Sequence, residues 1–409
     1  MGSELKSMDR RNELNGHGAG LVPEPYLNVH RDRIYNPLTN RTILPEDRGY
    51  AELRAMAAVN SSPDSLPKDL KQLLKEEGWI IPHNDDAELS KRFYLKFVTI
   101  EAQTVCNQSC YFCPVSINPR EEYYMPIELY EDILSQVSAY RDTIELVFMI
   151  NYNEPTIDKR FVDQVRLIKK YGLPPGVNTN ATGLTPSRSD EILDMGGLGY
   201  LSVNLSTMDR GRYKEDRKGD HVGAVIRNLD YIKDKKIAEY MDIAVLGMGD
   251  EDHIRSFREV AEHFSDSYFN VKFSRLTNRA GYLNLGMKTN NPHKELRGCS
   301  LLGSRPIQHL HINPKGECFL CCQDYNNTYR VGDLNKQTVD EVLTSPELAK
   351  MRRWVYGVEE APQDFICRGC RDALTPENSR RFSQLPASLI DKSLSLLRQV
   401  AQDMLGPGR

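Results

Sequence analysis

Cys106, Cys110 and Cys113 fall in the string Cys106-Asn107-Gln108-Ser109-Cys110-Tyr111-Phe112-Cys113, directly after the apolar run Phe97 to Ile100. The spacing Cys-x3-Cys-x2-Cys lets three thiolates close round one metal cluster. A cubane [4Fe–4S] cluster normally takes four thiolates, so a loop with three leaves one iron without a protein ligand. An open position is what chemistry at a metal needs. The loop offers no local fourth ligand, because neither His nor another Cys follows until His221. The competing reading is a zinc site, although zinc favours paired Cys-x2-Cys knuckles closed to four ligands.

Six further cysteines lie in the C-terminal third: Cys299, Cys318, Cys321, Cys322, Cys367 and Cys370. Ile312 to Cys322 reads as a hairpin turning at Pro314-Lys315-Gly316, with cysteines on the outgoing strand. Cys367-Arg368-Gly369-Cys370 is a Cys-x2-Cys knuckle. Hairpin, knuckle and the loop at Cys299 can converge on one set of four thiolates. Strand alternation puts Cys318 and Cys322 on the face opposite Cys321. A four-cysteine zinc site is the competing reading here as well.

The first string resembles the cluster motif of the radical S-adenosylmethionine (SAM) superfamily, Phe112 before the third cysteine included. That resemblance implies a cluster on Cys106, Cys110 and Cys113 whose open iron is chelated by SAM. One electron then cleaves the sulfonium and gives a 5′-deoxyadenosyl radical. Asn151-Tyr152-Asn153-Glu154-Pro155 is similar in position to the family's Gly-Gly-Glu-Pro segment, with its glycines replaced, and implies that Glu154 holds the SAM amine. The same likeness makes Phe112, Asn180, Asn204, Ser206 and Arg217 SAM contacts. The second set resembles a SPASM/Twitch auxiliary-cluster domain. Its Gly-x4-Cys pattern fits Gly316 to Cys321. The ligands implied for an auxiliary [4Fe–4S] cluster are Cys299, Cys321, Cys367 and Cys370, with Cys318 as a substitute for Cys321.

These residues need a scaffold that gathers strand ends. Phe93–Ile100, Ile144–Ile150, a strand from Val177, Tyr200–Leu205, Met241–Leu246 and Asn270–Arg275 read as strands. Helices alternate with them: one from Pro126, then Phe161–Tyr171, Glu191–Met195, Ala224–Lys235 and His253–Phe264. Such alternation means βαβ units and a parallel sheet. Six units make an α/β fold, a partial (β/α)6 TIM-like barrel with ligands at its C-terminal strand ends, where the cysteine loop falls. Residues 1–25 read as a disordered tail and 26–92 as a small winged-helix-like module. Residues 93–290 form the barrel and 291–375 the auxiliary-cluster domain, a β-hairpin with helices. Glu341 to Trp354 reads as an amphipathic helix, and residues 376–409 carry a C-terminal one.

With 40% hydrophobic and 27% charged residues the chain has the composition of a soluble globular protein. A net charge of −4 gives no footprint for nucleic acid. No run approaches the roughly 18 apolar residues of a membrane span, and the N-terminus has no signal-peptide core. Nine clustered cysteines without an export signal point to reduced, metal-binding thiols in the cytoplasm. The module at 26–92 resembles leader-peptide recognition modules of peptide-modifying radical SAM enzymes. A ribosomally made peptide is therefore the expected substrate, to be oxidised, cross-linked or epimerised. A flavodoxin- or ferredoxin-type electron donor is the expected partner. A dehydrogenase or epimerase of a sugar or aminocyclitol in natural-product biosynthesis is the alternative. A non-catalytic iron–sulfur electron carrier is the alternative of another class.

Overall fold

The computed structural model describes residues 20–59, 62–287 and 292–376. The expected tail up to residue 19 and the expected helix in 376–409 lie outside the described residues, except for Pro376 at the edge.

Strands β1 (Leu21–Pro23), β2 (Asn28–Val29), β3 (Ile34–Asn36), β4 (Arg41–Ile43) and β5 (Ile80–Pro82) belong to the N-terminal module, with helices Tyr50–Val59 and Lys68–Glu76. β2, β3 and β4 form an antiparallel meander, while β1 pairs antiparallel with β5. Residues 21–25 therefore belong to the module and not to a tail. β5 supplies the ladder partner that β1 needs, and Glu24 is buried in an ion pair with Arg92. The module closes on a core of its own, including Leu27, Ile34, Leu53, Leu74, Trp79 and Ile80. Gly78, at φ +80°, ends the second helix in the left-handed region that suits glycine.

The main sheet has nine strands. Six come from the barrel: β6 (Phe97–Ile100), β7 (Leu146–Phe148), β8 (Pro175–Thr179), β9 (Leu198–Leu205), β10 (Ala238–Gly247) and β11 (Phe269–Arg275). They are parallel and in chain order across the sheet. Helices Ile127–Val137, Phe161–Lys170, Pro186–Asp194, Val222–Ile232 and Glu251–His263 connect them. The expected α/β partial barrel is thus observed. β6 is buried at every position, as a strand covered on both faces must be. It is shorter than expected at its start, because Tyr94 and Lys96 donate their N–H groups to Ile307 and Gln308 of the chain leading into the next strand. The helix expected over Glu191–Met195 begins at Pro186, where proline suits a first turn. The connection after β9 adds a helix not expected from the sequence, Arg210–Arg217.

The remaining strands are β12 (His309–Ile312), β13 (Glu317–Phe319) and β14 (Arg330–Asp333). β12 lies parallel to β6 and starts the hairpin with β13. The hairpin therefore continues the barrel sheet. One hydrophobic core runs from Val98 and Val147 through to Leu320, Val342 and Phe365. The helix expected over Glu341–Trp354 is two helices, Val339–Leu343 and Pro346–Val355, with a capping box at Thr338 and Glu341 on the first.

Candidate metal centres

The three cysteines of the first loop leave the C-terminal end of β6. Three neighbours hold the loop. Val105 accepts the backbone N–H of Glu154, 2.9 Å away, from the segment after β7. Asn107 accepts from Asn180 (3.0 Å) and donates to Thr182 (2.9 Å), both after β8. Ser109 and Tyr111 donate their N–H groups to the carbonyls of Arg217 and Asp216, at the end of the unexpected helix. Burial pushes Cys106 up to about 12 and Cys110 up to about 11, with smaller contributions from the charges of neighbouring cysteines. Backbone N–H groups of Gln108 and Val115 point at Cys106 and Cys113 and favour their thiolates.

Arg217 is the polar centre of this end. It is 2% exposed, its Nε donates to Ser206 (3.0 Å) and its Nη1 to Gln108 (3.2 Å). Its guanidinium lies 5.4 Å from the centroid of the Phe112 ring and 5.3 Å from that of Tyr213, a favourable placement for a cation. Its Nη2 is buried without a partner among the described residues, as are Oδ1 of Asn151 and Oδ1 of Asn178. Buried polar atoms without partners at strand ends suit a polar ligand that supplies them. Asn204 is the penultimate residue of β9, and Ser206 directly follows the strand.

Glu154, the expected amine contact, has partners within the protein as well. Its Oε1 accepts from Thr156 N (3.0 Å), Thr156 Oγ1 (2.6 Å) and Thr179 Oγ1 (2.5 Å), and its Oε2 from Asn180 N (2.6 Å). Burial raises its pKa against these bonds. The carboxylate thus ties the ends of β7 and β8 together, and only Oε2 keeps acceptor capacity to spare. Phe112, Glu154, Asn180, Ser206 and Arg217 do converge on the loop.

The second set is assembled from distant segments. Cys299, Cys321, Cys367 and Cys370 line one cavity, closed by Leu301, Leu320, Val355 and Ile366. Such a cradle fits a cluster held by four thiolates. Cys318, considered as a substitute, sits fully buried in the hydrophobic core on β13 and does not line the cavity. Strand alternation sends it to the other face. Cys322 also stays out of the lining. The hydrogen bond from Cys321, then Arg305 and Arg279, hold its thiol below the ordinary range. The knuckle packs backbone to backbone on the barrel: a Cβ on Gly369 would lie 2.8 Å from the carbonyl oxygen of Ala280. Among the described residues, no group of three or more His, Cys, Asp or Glu closes round a single metal ion.

Asn107, Gln108 and Arg305 escaped the sequence reading. The first two carried a signal, lying inside the cysteine string. Arg305 carried none, since only the fold brings it to the cavity.

The chain matches the family model of the Radical SAM superfamily over residues 100–261. It matches that of the SPASM iron–sulfur cluster-binding domain over residues 299–371. It is 30% identical over 112 residues to the tungsten-containing aldehyde ferredoxin oxidoreductase cofactor-modifying protein of Pyrococcus furiosus, covering 27% of this chain and 31% of that protein. This chain therefore spans under a third of that relative's length. It is 20% identical over 280 residues to the S-adenosyl-L-methionine-dependent 2-deoxy-scyllo-inosamine dehydrogenase of Niallia circulans, covering 67% of this chain and 92% of that one. Streptococcus suis SuiB bound to precursor peptide SuiA shares the fold, with a TM-score of 0.52 and 12% identity over 86% of this chain and 92% of that one. No helix among the described residues is long and apolar enough to cross a membrane.

Proposed function

Because this chain belongs to the radical SAM superfamily and carries a SPASM iron–sulfur cluster-binding domain, we propose that it is an enzyme that abstracts hydrogen from a ribosomally made peptide in the cytoplasm. The family's cofactors are a SAM-binding [4Fe–4S] cluster and an auxiliary cluster. Bound together, the first cluster and SAM supply one-electron cleavage of a sulfonium and hence hydrogen abstraction. Cys106, Cys110 and Cys113 hold that cluster. Arg217 turns its free Nη2 to the SAM carboxylate, with Phe112 and Ser206 fixing the guanidinium. Asn180 and Asn204 would border the nucleoside, and Glu154 would receive the amine at Oε2. Cys299, Cys321, Cys367 and Cys370 hold the auxiliary cluster. A flavodoxin- or ferredoxin-type protein supplies the electron.

One observation carries the peptide reading. The N-terminal module has its own core and two exposed residues, Arg41 and Thr42, on edge strand β4. It is also docked beside the second centre. Asn28 Nδ2 donates to the Cys299 carbonyl (2.9 Å), and Gln308 Nε2 donates to Tyr35 (2.6 Å) and to the Pro37 carbonyl (2.8 Å). An edge strand accepts an extended peptide as a further strand, and the meander that carries β4 reaches the metal centre through β2, its other edge. The second reading, a dehydrogenase of an aminocyclitol or sugar alcohol, is favoured by the likeness to the Niallia circulans enzyme along 92% of its length.

The test is anaerobic reconstitution with dithionite and SAM. One arm offers peptides encoded beside the gene, the other a panel of aminocyclitols and sugar alcohols. The peptide reading expects 5′-deoxyadenosine together with a mass change in a peptide, lost in T42P, which breaks the β4 edge. Turnover of a cyclitol at an undiminished rate in T42P would sink it.

A further inference from the structure

Arg305 is a buried cation without a carboxylate. It is 9% exposed and lines the cavity of Cys299, Cys321, Cys367 and Cys370. It forms no ion pair among the described residues, and its Nε is buried without an acceptor. A guanidinium has five N–H donors and no acceptor. An unpaired charge out of water is costly unless something of opposite sign compensates it. The cavity it lines offers it the thiols and, on the same wall, the carboxylate of Asp372, which is paired with Arg371. The backbone N–H of Arg305 itself bonds Cys299, and its charge acts on Cys299, Cys321 and Cys322.

The other end of the side chain is fixed. Nη1 bonds Nδ1 of His309 and approaches Nε2 of His311 at 3.3 Å. As arginine only donates, we assign Nδ1 of His309, the nearer ring nitrogen, as the acceptor; Nε2 lies 3.3 Å from the same Nη1 and 2.8 Å from Thr99 Oγ1. The His309 ring stacks on His311 with centroids 4.0 Å apart, so it cannot swing away. Thus β12, through its pairing with β6, fixes one arm of the guanidinium of a residue that lines the cavity.

We infer that Arg305 sets the reduction potential of the auxiliary cluster, its guanidinium facing the four-cysteine cavity and its Nε bonding cluster sulfur, with His309 as the positioning residue. This rests on the reading that those four cysteines hold a [4Fe–4S] cluster. Net charge and hydrogen bonds to sulfur are among the factors that set such potentials. Reduction adds negative charge, so a fixed cation with a donor raises the potential and makes the cluster easier to reduce.

The test uses the full chain carrying C106A, C110A and C113A, so that the auxiliary cluster alone is read by iron analysis and an EPR-monitored redox titration. About four irons per chain are expected; a chain without iron overturns the reading beneath the inference. At the poise that half-reduces the reference cluster, R305Q should lower the reduced-to-oxidised ratio about tenfold, a shift of about 59 mV to lower potential for one electron. R305K and H309L should move it the same way by less. A four-iron R305Q with an unmoved potential overturns the inference. Should R305Q not retain iron, unmoved potentials in R305K and H309L overturn it equally.

Discussion

The first three cysteines share one loop, whereas the second four come from a turn, a hairpin and a knuckle that meet only in the folded chain. The local set is ordered by polar groups: Asn107, Gln108 and Arg217 pin its backbone and side chains. The assembled set is walled by Leu301, Leu320, Val355 and Ile366 on a shared core. A loop that carries its own ligands needs neighbours only to aim it. A site gathered from distant segments pays chain-closure entropy, which burial must offset. The first centre should therefore fail locally, and the second through packing.

The largest test of that contrast is paired. C110A should lower iron from about eight to about four per chain and abolish SAM cleavage. C370A should remove a similar amount of iron and leave the first centre's iron in place. Iron analysis with 5′-deoxyadenosine detection reads both, and loss of all iron in C370A would show that the centres stand or fall together.

A smaller effect belongs to the polar shell of the first loop. R217Q removes a charged donor, about 1.5–3 kcal/mol, so SAM binding should weaken roughly ten- to a hundredfold with iron content retained. Calorimetric titration with SAM measures it; unchanged affinity would remove Arg217 from the cofactor's reach.

The smallest effect is a pH slope at the β6–β12 seam beside the second centre. Burial first, then neighbouring charges that include Arg305, hold His309 and His311 well below 6.5. The folded chain therefore keeps them neutral while the unfolded chain protonates them. Their stability contribution is complete above about pH 6.5 and is lost progressively as pH falls below it. Denaturant unfolding at pH 7.5 and 5.5 should show this loss, and H309Q should reduce it. An equal slope in H309Q would place the acid sensitivity elsewhere.

Much of this was written in the chain. Period and turn residues marked the six barrel strands. The cysteine string marked the first centre, because its ligands are neighbours in sequence. Gly316 and the knuckle marked the second set, while the choice between Cys318 and Cys321 stayed open until the fold put Cys321 in the cavity wall. What the sequence could not carry were relations between distant segments: β12 joining β6, Glu154 spending its oxygens on Thr156, Thr179 and Asn180, and Arg305 joining the wall of the four-cysteine cavity. Each depends on where one strand's register places a side chain against another element. Local pattern fixes which face a residue takes, but only packing decides what stands opposite it.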